Sequence, residues 1–213
     1  MMLVRRTLLT ILGLSIIAGI WMMFRITWPF ITFDYNVGFL LTKQSILHIG
    51  IWRWSFYIHI FTSIFVLIFG LIQFIRPILI KAPAFHRALG KAYILITLFC
   101  SAPTGLIMGY YANGGIAAKA SFMILSVLWW VFTFKAYLEI RKGNVDKHIA
   151  FMTRSYALTL SALALRTYAL FLPLVIHLPA KDMYTLIAWL SWVPNILIAE
   201  WFIRKKIFSR QRP

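Results

Sequence analysis

The sequence has few acidic residues and a single cysteine. Only five of its 213 residues are Asp or Glu, against 22 Lys and Arg, which gives a formal net charge of +17. The lone Cys100 cannot form a disulfide within the chain. No carboxylate lies near the middle of a long apolar segment, which argues against a proton or cation transporter. The sequence also lacks a nucleophile-base-carboxylate array, an H-E-x-x-H helix and a phosphate-binding loop, which argues against a hydrolase.

Apolar residues are what the chain has in excess. Hydrophobic residues make up 62% of it and charged residues 13%, and the mean hydropathy is +0.82. A surface of that composition is stable only in a bilayer, so the sequence predicts an integral membrane protein. Six apolar runs are long enough to span as helices. They cover residues 7–25, 53–75, 86–110, 116–138, 149–172 and 184–203.

These runs predict an all-α fold, a polytopic membrane helix bundle with six transmembrane helices in a single domain over residues 1–213. The first run, 7–25, is too long for a signal peptide and lacks a small-residue cleavage site, so we interpret it as an uncleaved span. It has no polar stripe and is expected to be peripheral. Spans two to five are expected to form a four-helix core.

The basic residues are concentrated at alternate ends of the spans. One set of ends carries Arg5, Arg6, Arg76, Lys81, Arg87, Lys91, Lys135, Arg141, Lys142, Lys147, Arg204, Lys205, Lys206, Arg210 and Arg212. The other set carries only Arg25, Lys43, Arg53, Lys119 and Lys181. By the positive-inside rule, both termini are cytoplasmic. Basic residues that flank spans indicate attraction to anionic lipid headgroups, and nucleic-acid binding is not expected.

Polar and small residues follow one face of several spans. His148 and Arg166 are 18 residues apart, which places them on one helical face about 27 Å from each other. His59 lies on a similar stripe in the second span. The stripe of the third span comprises His86, Gly90, Tyr93, Thr97, Cys100 and Thr104. Such residues turn towards neighbouring helices or a cavity, so spans two to five are expected to share a polar interior, although ordinary helix packing produces the same pattern.

Two of the histidines are expected at matched depth. His86 and His148 both lie at the cytoplasmic mouths of their spans, as a haem held by two histidines requires, and Gly90 is near enough to admit the ring. Alternatively, both are interfacial residues that contact headgroups or cap carbonyl groups. His59 lies about two turns in from the outer face, where Met123 is its candidate partner at similar depth.

Arg166 lies within the fifth span and needs a counter-charge. An arginine at the centre of a span costs about 2.5 to 3.5 kcal/mol on insertion scales. A haem propionate, a phosphate or an anionic substrate would supply the charge, or the side chain reaches the outer headgroups. Arg154 lies closer to the inner end, where headgroups are within easier reach.

Three stretches of the chain carry a family resemblance. They are GLIQFIRP, FHRALGKAYILI at 85–96 and DKHIAFMTRSYALTLSALALR at 146–166. Over about residues 50–200 the chain resembles the domain of unknown function 2306 family, which implies a polytopic protein of the bacterial inner membrane and lends fold more than function. A looser likeness to cytochrome b561-type proteins, whose four core helices hold two haems, implies that His86 and His148 are the retained ligand pair. The fourth span departs from that pattern because it has no histidine.

The main functional hypothesis is a b-type haem protein that transfers electrons within the membrane, with a redox or respiratory-complex partner. His86 and His148 are its axial ligands, Arg166 or Arg154 faces a carboxylate-bearing group, and His59 is a further cofactor-binding candidate. A non-catalytic factor that assists assembly of a respiratory complex, or handles a lipid or small anion, is one alternative. Another is a transporter of an anionic solute. The sequence leaves open whether the chain is an enzyme.

Overall fold

A computed structural model describes residues 2–207 of the chain, with the side chains at positions 2–6, 8 and 9 left aside. Arg210 and Arg212 of the predicted charge pattern therefore lie outside the described residues, as do the side chains of Arg5 and Arg6. The larger set of basic ends meets at one end of the bundle, where the second span leads into the third and the fourth into the fifth, near Arg87 and Lys147. We call this the basic end and the other the opposite end.

The six predicted spans are confirmed. Six helical segments are long and apolar enough to cross a membrane: Thr10–Thr32, Gly50–Gln73, Pro83–Tyr110, Ile116–Arg141, Val145–Val175 and Ala180–Arg204. Most begin or end a few residues beyond the apolar runs because the helices continue into their polar flanks. The third, for example, begins at Pro83, a residue that suits the first helical position because its missing N–H has no helical partner there.

Several spans are built from more than one helix. The helices are α1 (Met2–Thr27), α2 (Gly50–Gln73), α3 (Arg76–Lys81), α4 (Pro83–Ile96), α5 (Ala102–Tyr110), α6 (Ile116–Arg141), α7 (Val145–Thr159), α8 (Ser161–Val175), α9 (Ala180–Leu190) and α10 (Val193–Arg204). Two 3₁₀ segments, Trp28–Thr32 and Gly38–Ile46, lie between α1 and α2, and a π-helical turn, Thr97–Ser101, joins α4 to α5.

The π-helical turn in the third span follows from Pro103. The Ala102 N–H donates to the Thr97 carbonyl, five residues back, and the next donor in that pattern would be residue 103, which has no N–H. The carbonyl left over, that of Leu98, instead accepts the indole N–H of Trp130 at 3.2 Å. Because the turn adds one residue, Ser101 is fully buried where Cys100 was expected, and Cys100 is partly exposed.

Spans two to five form the predicted four-helix core. The second span packs against the third and fifth, and the fourth packs against the third and fifth, so the four close on one another. At the closest approach, a Cβ on Gly70 would lie 2.3 Å from the Tyr156 ring and 3.0 Å from the Tyr93 ring. Small residues at helix crossings allow such approaches, which is how bilayer helices gain packing energy.

The first and sixth spans lie outside this core. The sixth packs against the fourth and fifth spans, and the first lies against the second span and α8. Among the described side chains of the first span, large apolar groups such as Trp21 are mostly exposed, and Ile16 is one of the few that are buried. The first span is therefore peripheral, as expected, and presents its apolar surface to lipid.

The connection between the first two spans caps the opposite end of the bundle. Leu40 and Leu47 of the connection, together with Phe30 at the end of the first span, form a buried cluster with Trp52 and Phe56 of the second span. Their burial removes a large apolar area from water, and Phe30 meets Phe56 edge to face at 5.1 Å. The connection thus covers one end of the second span.

Lys43 is the polar anchor of this cap. Its Nζ donates to the Tyr111 carbonyl and to Asn113 Oδ1, both at 2.7 Å, and the residue is only 3% exposed. Burial of the ammonium group, and secondarily the charge of Lys119, lower the pKa of Lys43 from 10.5 to about 8.

We expect the Lys43 ammonium to titrate with a midpoint of about 8 when followed by NMR of labelled lysine side chains. Between pH 8 and 10.5 the unfolded chain keeps the proton that the folded chain has lost, so Lys43 makes the fold more stable as the pH rises. Asn113→Ala removes an acceptor for the charged form and should lower the midpoint further. A midpoint above 10 in the unaltered protein would contradict this account.

Candidate functional site

His86 and His148 both lie at the basic end of the bundle. They begin the third and fifth spans, which run in the same direction, and they are close enough to interact electrostatically. His148 Nδ1 lies 2.8 Å from the Ala136 carbonyl, which can only accept, so Nδ1 carries the hydrogen and Nε2 is left available. The Nδ1 atom of His86 is buried and has no hydrogen-bond partner within residues 2–207.

One hydrogen bond sets the two histidines at the same depth. The Tyr93 hydroxyl lies 2.7 Å from Ser155 Oγ. Tyr93 is seven residues after His86, and Ser155 is seven residues after His148, so each histidine lies two turns, about 10 Å, from this bond towards the basic end. This equal spacing from a shared hydrogen bond is consistent with the matched depth that the sequence predicts.

The space beside Gly90 is filled by the protein itself. A Cβ on Gly90 would lie 3.2 Å from Gln73 Oε1, and the Gln73 amide donates to the His86 carbonyl at 3.1 Å. Gly90 therefore makes room for Gln73, and a ring bound to His86 has to lie on another side of that histidine. Within residues 2–207, no group of three or more His, Cys, Asp and Glu side chains is placed to hold a metal ion.

Arg154 is paired with a carboxylate. Its Nε and Nη2 atoms donate to the two carboxylate oxygens of Glu200 at 2.5 and 2.9 Å. The guanidinium also lies over the Phe151 ring, 5.2 Å from its centroid. A two-point pair of this kind fixes the sixth span against the fifth. The charge of Arg154, for which the sequence predicts headgroups or a cofactor as the counterpart, is already balanced by Glu200.

A hydroxyl cluster occupies the middle of the bundle. Ser155 Oγ meets both the Tyr93 hydroxyl and Thr133 Oγ1 at 2.7 Å, and Thr159 Oγ1 lies 2.9 Å from the Tyr93 hydroxyl. All four residues are buried, and they come from the third, fourth and fifth spans. Each of these four hydroxyl groups therefore has a hydrogen-bond partner within the bundle.

His59 and Arg166 come together in the half of the bundle near the opposite end. His59 Nδ1 lies 2.8 Å from the Ser101 carbonyl, and a Cβ on Gly105 would lie 3.1 Å from the His59 ring. Arg166 interacts electrostatically with His59 and with Tyr184 of the sixth span. No acidic side chain or hydrogen-bond acceptor pairs with Arg166 in the described part of the chain.

The backbone of Met123, the candidate partner of His59, lies near Gly109 of the third span. A Cβ on Gly109 would lie 3.2 Å from the Met123 nitrogen. The structure therefore joins the candidate residues in two groups, the pair His86 and His148 at the basic end and the pair His59 and Arg166 towards the opposite end. The hydroxyl cluster separates them.

The sequence did not reveal that Arg154 pairs with Glu200 or that Arg166 lies near Tyr184. Glu200 is the acidic residue nearest the middle of the sixth span and lies in the same half of the molecule as Arg154, and that agreement of depth was the available signal. Tyr184 belongs to a weaker polar stripe of the sixth span, but its proximity to Arg166 depends on how that helix is rotated. The rotation of a helix about its own axis cannot be deduced from the depth of its residues in the membrane.

Comparison with known proteins yields one family match. The model of a family described as predicted membrane protein (DUF2306) matches residues 56–203, which is more than half of the chain. The comparisons with curated proteins and with solved structures found no match. The looser likeness to cytochrome b561-type proteins thus has no support from these comparisons.

We expect loss of the charge-assisted hydrogen bonds between Arg154 and Glu200 to cost about 1.5 to 3 kcal/mol of stability, because the two side chains are only 20% and 33% exposed. Glu200→Gln leaves the guanidinium without its counter-charge and should lower the unfolding temperature. The double change R154M/E200M should recover part of that loss, since neither charge then remains. Circular dichroism of the protein in detergent, followed during heating, measures the unfolding temperature.

The matched control is Lys142→Gln. It breaks the 3.6 Å pair of Lys142 with Glu139, whose lysine side chain is 62% exposed, and should change stability by less than about 0.5 kcal/mol. Equal unfolding temperatures for E200Q and the unaltered protein would show that the Arg154–Glu200 pair does not stabilise the fold.

Proposed function

We propose that the chain, which belongs to the predicted membrane protein family DUF2306, binds one b-type haem at the basic end and transfers electrons within the membrane. The observation that carries this proposal is the state of its two histidines. His148 offers a free Nε2, and His86 has a buried nitrogen without a hydrogen bond. Buried polar atoms normally have partners, so an orphaned imidazole nitrogen points to a missing one.

His148 has the second hydrogen bond that is typical of an axial ligand. Ligating histidines almost always donate their second N–H to a carbonyl or carboxylate, which fixes the tautomer and the ring orientation. The Ala136 carbonyl does this for His148. A bound haem would supply one-electron redox chemistry at the histidine pair. The protein's part is to hold both imidazoles at one depth, through the bond between Tyr93 and Ser155.

The charge at the basic end also suits a haem. Arg87 is close enough to His86 to act on it electrostatically, and it is exposed, so it is available to a propionate. Arg154 is less suited, since Glu200 already balances it. Arg166 lies 18 residues from His148, about 27 Å along the span, which is too far to serve the same group.

We further propose that the protein lies in the bacterial inner membrane with the basic end in the cytoplasm. The support is the positive-inside rule applied to the charge pattern. The histidine pair then lies near the cytoplasmic surface, within reach of a redox or respiratory-complex partner on that side. Anionic headgroups of the cytoplasmic leaflet would surround the basic end.

We expect the protein purified from haem-replete cells to show a Soret band. His86→Ala and His148→Ala should each diminish or shift the band, and the double variant should abolish it, because both axial ligands are gone. His48→Ala, an exposed histidine at the opposite end, should leave the spectrum unchanged. The measurement is the visible spectrum in oxidised and reduced states.

Two results would overturn the haem proposal. Absence of a Soret band in protein that is monodisperse and folded would refute haem binding. A band that persists in the variant lacking both His86 and His148 would refute the ligand assignment.

We expect reporter fusions to place the two ends on opposite sides of the membrane. Alkaline phosphatase, which needs disulfides formed in the periplasm, should be active after Gly115 at the opposite end and inactive after Gly143 at the basic end. Green fluorescent protein fused to the C-terminus should fluoresce. The reverse pattern of phosphatase activity would invert the proposed orientation.

A further inference from the structure

The connection between the second and third spans contains a short helix, α3 (Arg76–Lys81), at the basic end. It packs against both α2 and α4, the two helices that it joins. A helix of six residues is about 9 Å long, and the axes of packed helices lie about 8 to 10 Å apart. The length of α3 therefore suits a helix that lies across the ends of the two spans, parallel to the membrane surface.

The outward side of α3 carries large apolar residues. Leu79 is 49% exposed and Ile80 is 65% exposed, and Phe85 at the start of α4 is 51% exposed. Ile78, in contrast, is partly buried against the bundle. Exposing apolar side chains of this size to water is unfavourable, whereas the hydrocarbon edge of a bilayer accommodates them.

Basic residues border this apolar surface. Arg76 begins α3 and Lys81 ends it, and both are exposed. The sequence has no Asp or Glu between Asp34 and Glu139, so α3 has no acidic neighbour along the chain. The ion pairs that form among residues 2–207 involve neither Arg76 nor Lys81. The two cations at the ends of α3 therefore lack an acidic partner in this part of the protein.

We propose that α3 lies in the plane of the membrane surface and binds anionic phospholipid. Leu79 and Ile80 enter the edge of the hydrocarbon, and Arg76 and Lys81 meet the phosphates of the headgroup layer. The long stems of arginine and lysine allow their charged groups to reach the headgroups from a helix at this depth. The charges are complementary, since the surface offers two cations and no carboxylate.

The exposed apolar residues favour lipid over an acidic protein as the partner. The two cations alone would attract either one. A surface that waits in water for a protein would keep Ile80 exposed to water until that protein arrives. A helix in the membrane interface keeps Ile80 in hydrocarbon at all times.

Lipid binding at α3 does not depend on the proposed haem. Neither His86 nor His148 belongs to α3, and Arg87, which is available to a propionate, lies on α4. The double change R76Q/K81Q should therefore leave any Soret band as it is. Loss of haem should likewise leave the lipid preference of α3 as it is.

A nitroxide label at position 80 tests the depth of α3. Ile80→Cys is labelled in a Cys100→Ser background, with the full chain in nanodiscs of phosphatidylcholine and phosphatidylglycerol. The label should collide more often with oxygen, which enters the bilayer, than with a neutral nickel chelate, which stays in water. Lys142→Cys is the matched control at the same end, where the lysine side chain is 62% exposed, and its label should show the reverse.

A fluorophore at position 80 tests the lipid preference. Phosphatidylglycerol and phosphatidylcholine that carry a nitroxide are compared as quenchers, at equal low fractions in phosphatidylcholine nanodiscs. Phosphatidylglycerol should have an apparent quenching constant at least about fivefold higher, the factor expected for one cation near an anionic headgroup. R76Q/K81Q should bring the ratio close to one. R141Q/K142Q, which removes the same charge elsewhere at the basic end, should keep the preference.

Several results would overturn the assignment. A label at position 80 that meets the nickel chelate as often as the label at position 142 would make α3 an aqueous surface, open to an acidic protein. Equal quenching by the two lipids, or a preference that R76Q/K81Q retains, would refute binding of anionic lipid by these cations. A preference that inorganic phosphate abolishes, and sodium chloride of equal ionic strength does not, would replace the lipid with free phosphate. Circular dichroism during heating verifies that each variant is folded, and Cys100→Ala replaces Cys100→Ser if that background unfolds.

Discussion

The hydrogen bond between Tyr93 and Ser155 is the interaction on which the arrangement of the bundle depends. A phenol buried in the hydrocarbon region has no water with which to form hydrogen bonds, so its hydrogen-bond partners must come from other helices. Tyr93 finds them on the fifth span, and Ser155 passes the network on to Thr133 of the fourth. Tyr156, the next residue along, donates to the Leu67 carbonyl and brings in the second span. Sliding any of these helices by a turn would leave several hydroxyl groups unsatisfied.

That hydrogen-bond network fixes the depth of one span relative to another. The third and fifth spans start from the same end, and their register at mid-membrane fixes the relative heights of all residues on both. His86 and His148 owe their common level to it, and they need no contact with each other to keep it. The peripheral first span contributes apolar packing, since Ile16 belongs to the buried core cluster.

Depth and helical phase were readable from the sequence, because residue number converts directly into distance along a helix. The six spans, the core of spans two to five and the level of His86 and His148 follow from that conversion. The Arg154–Glu200 pair does not, since it depends on the rotation of the sixth span about its own axis, which apolar residues on every side leave undetermined. The use of the space beside Gly90 was also misjudged, because a glycine signals close approach without naming the group that approaches, here Gln73.

The π-helical turn at Thr97–Ser101 divides the third span into two helical halves. The faces of the two halves are rotated relative to each other about the axis of the span. One extra residue amounts to about 100° of rotation. The half that carries His86 and Tyr93 and the half that carries Gly105 can therefore each present their own face to the interior, although no single continuous helix could present both. A span with such a turn can direct residues from each of its halves towards a different part of the bundle interior. In this protein one part contains an imidazole pair and the other contains a single guanidinium, although the span crosses the membrane only once.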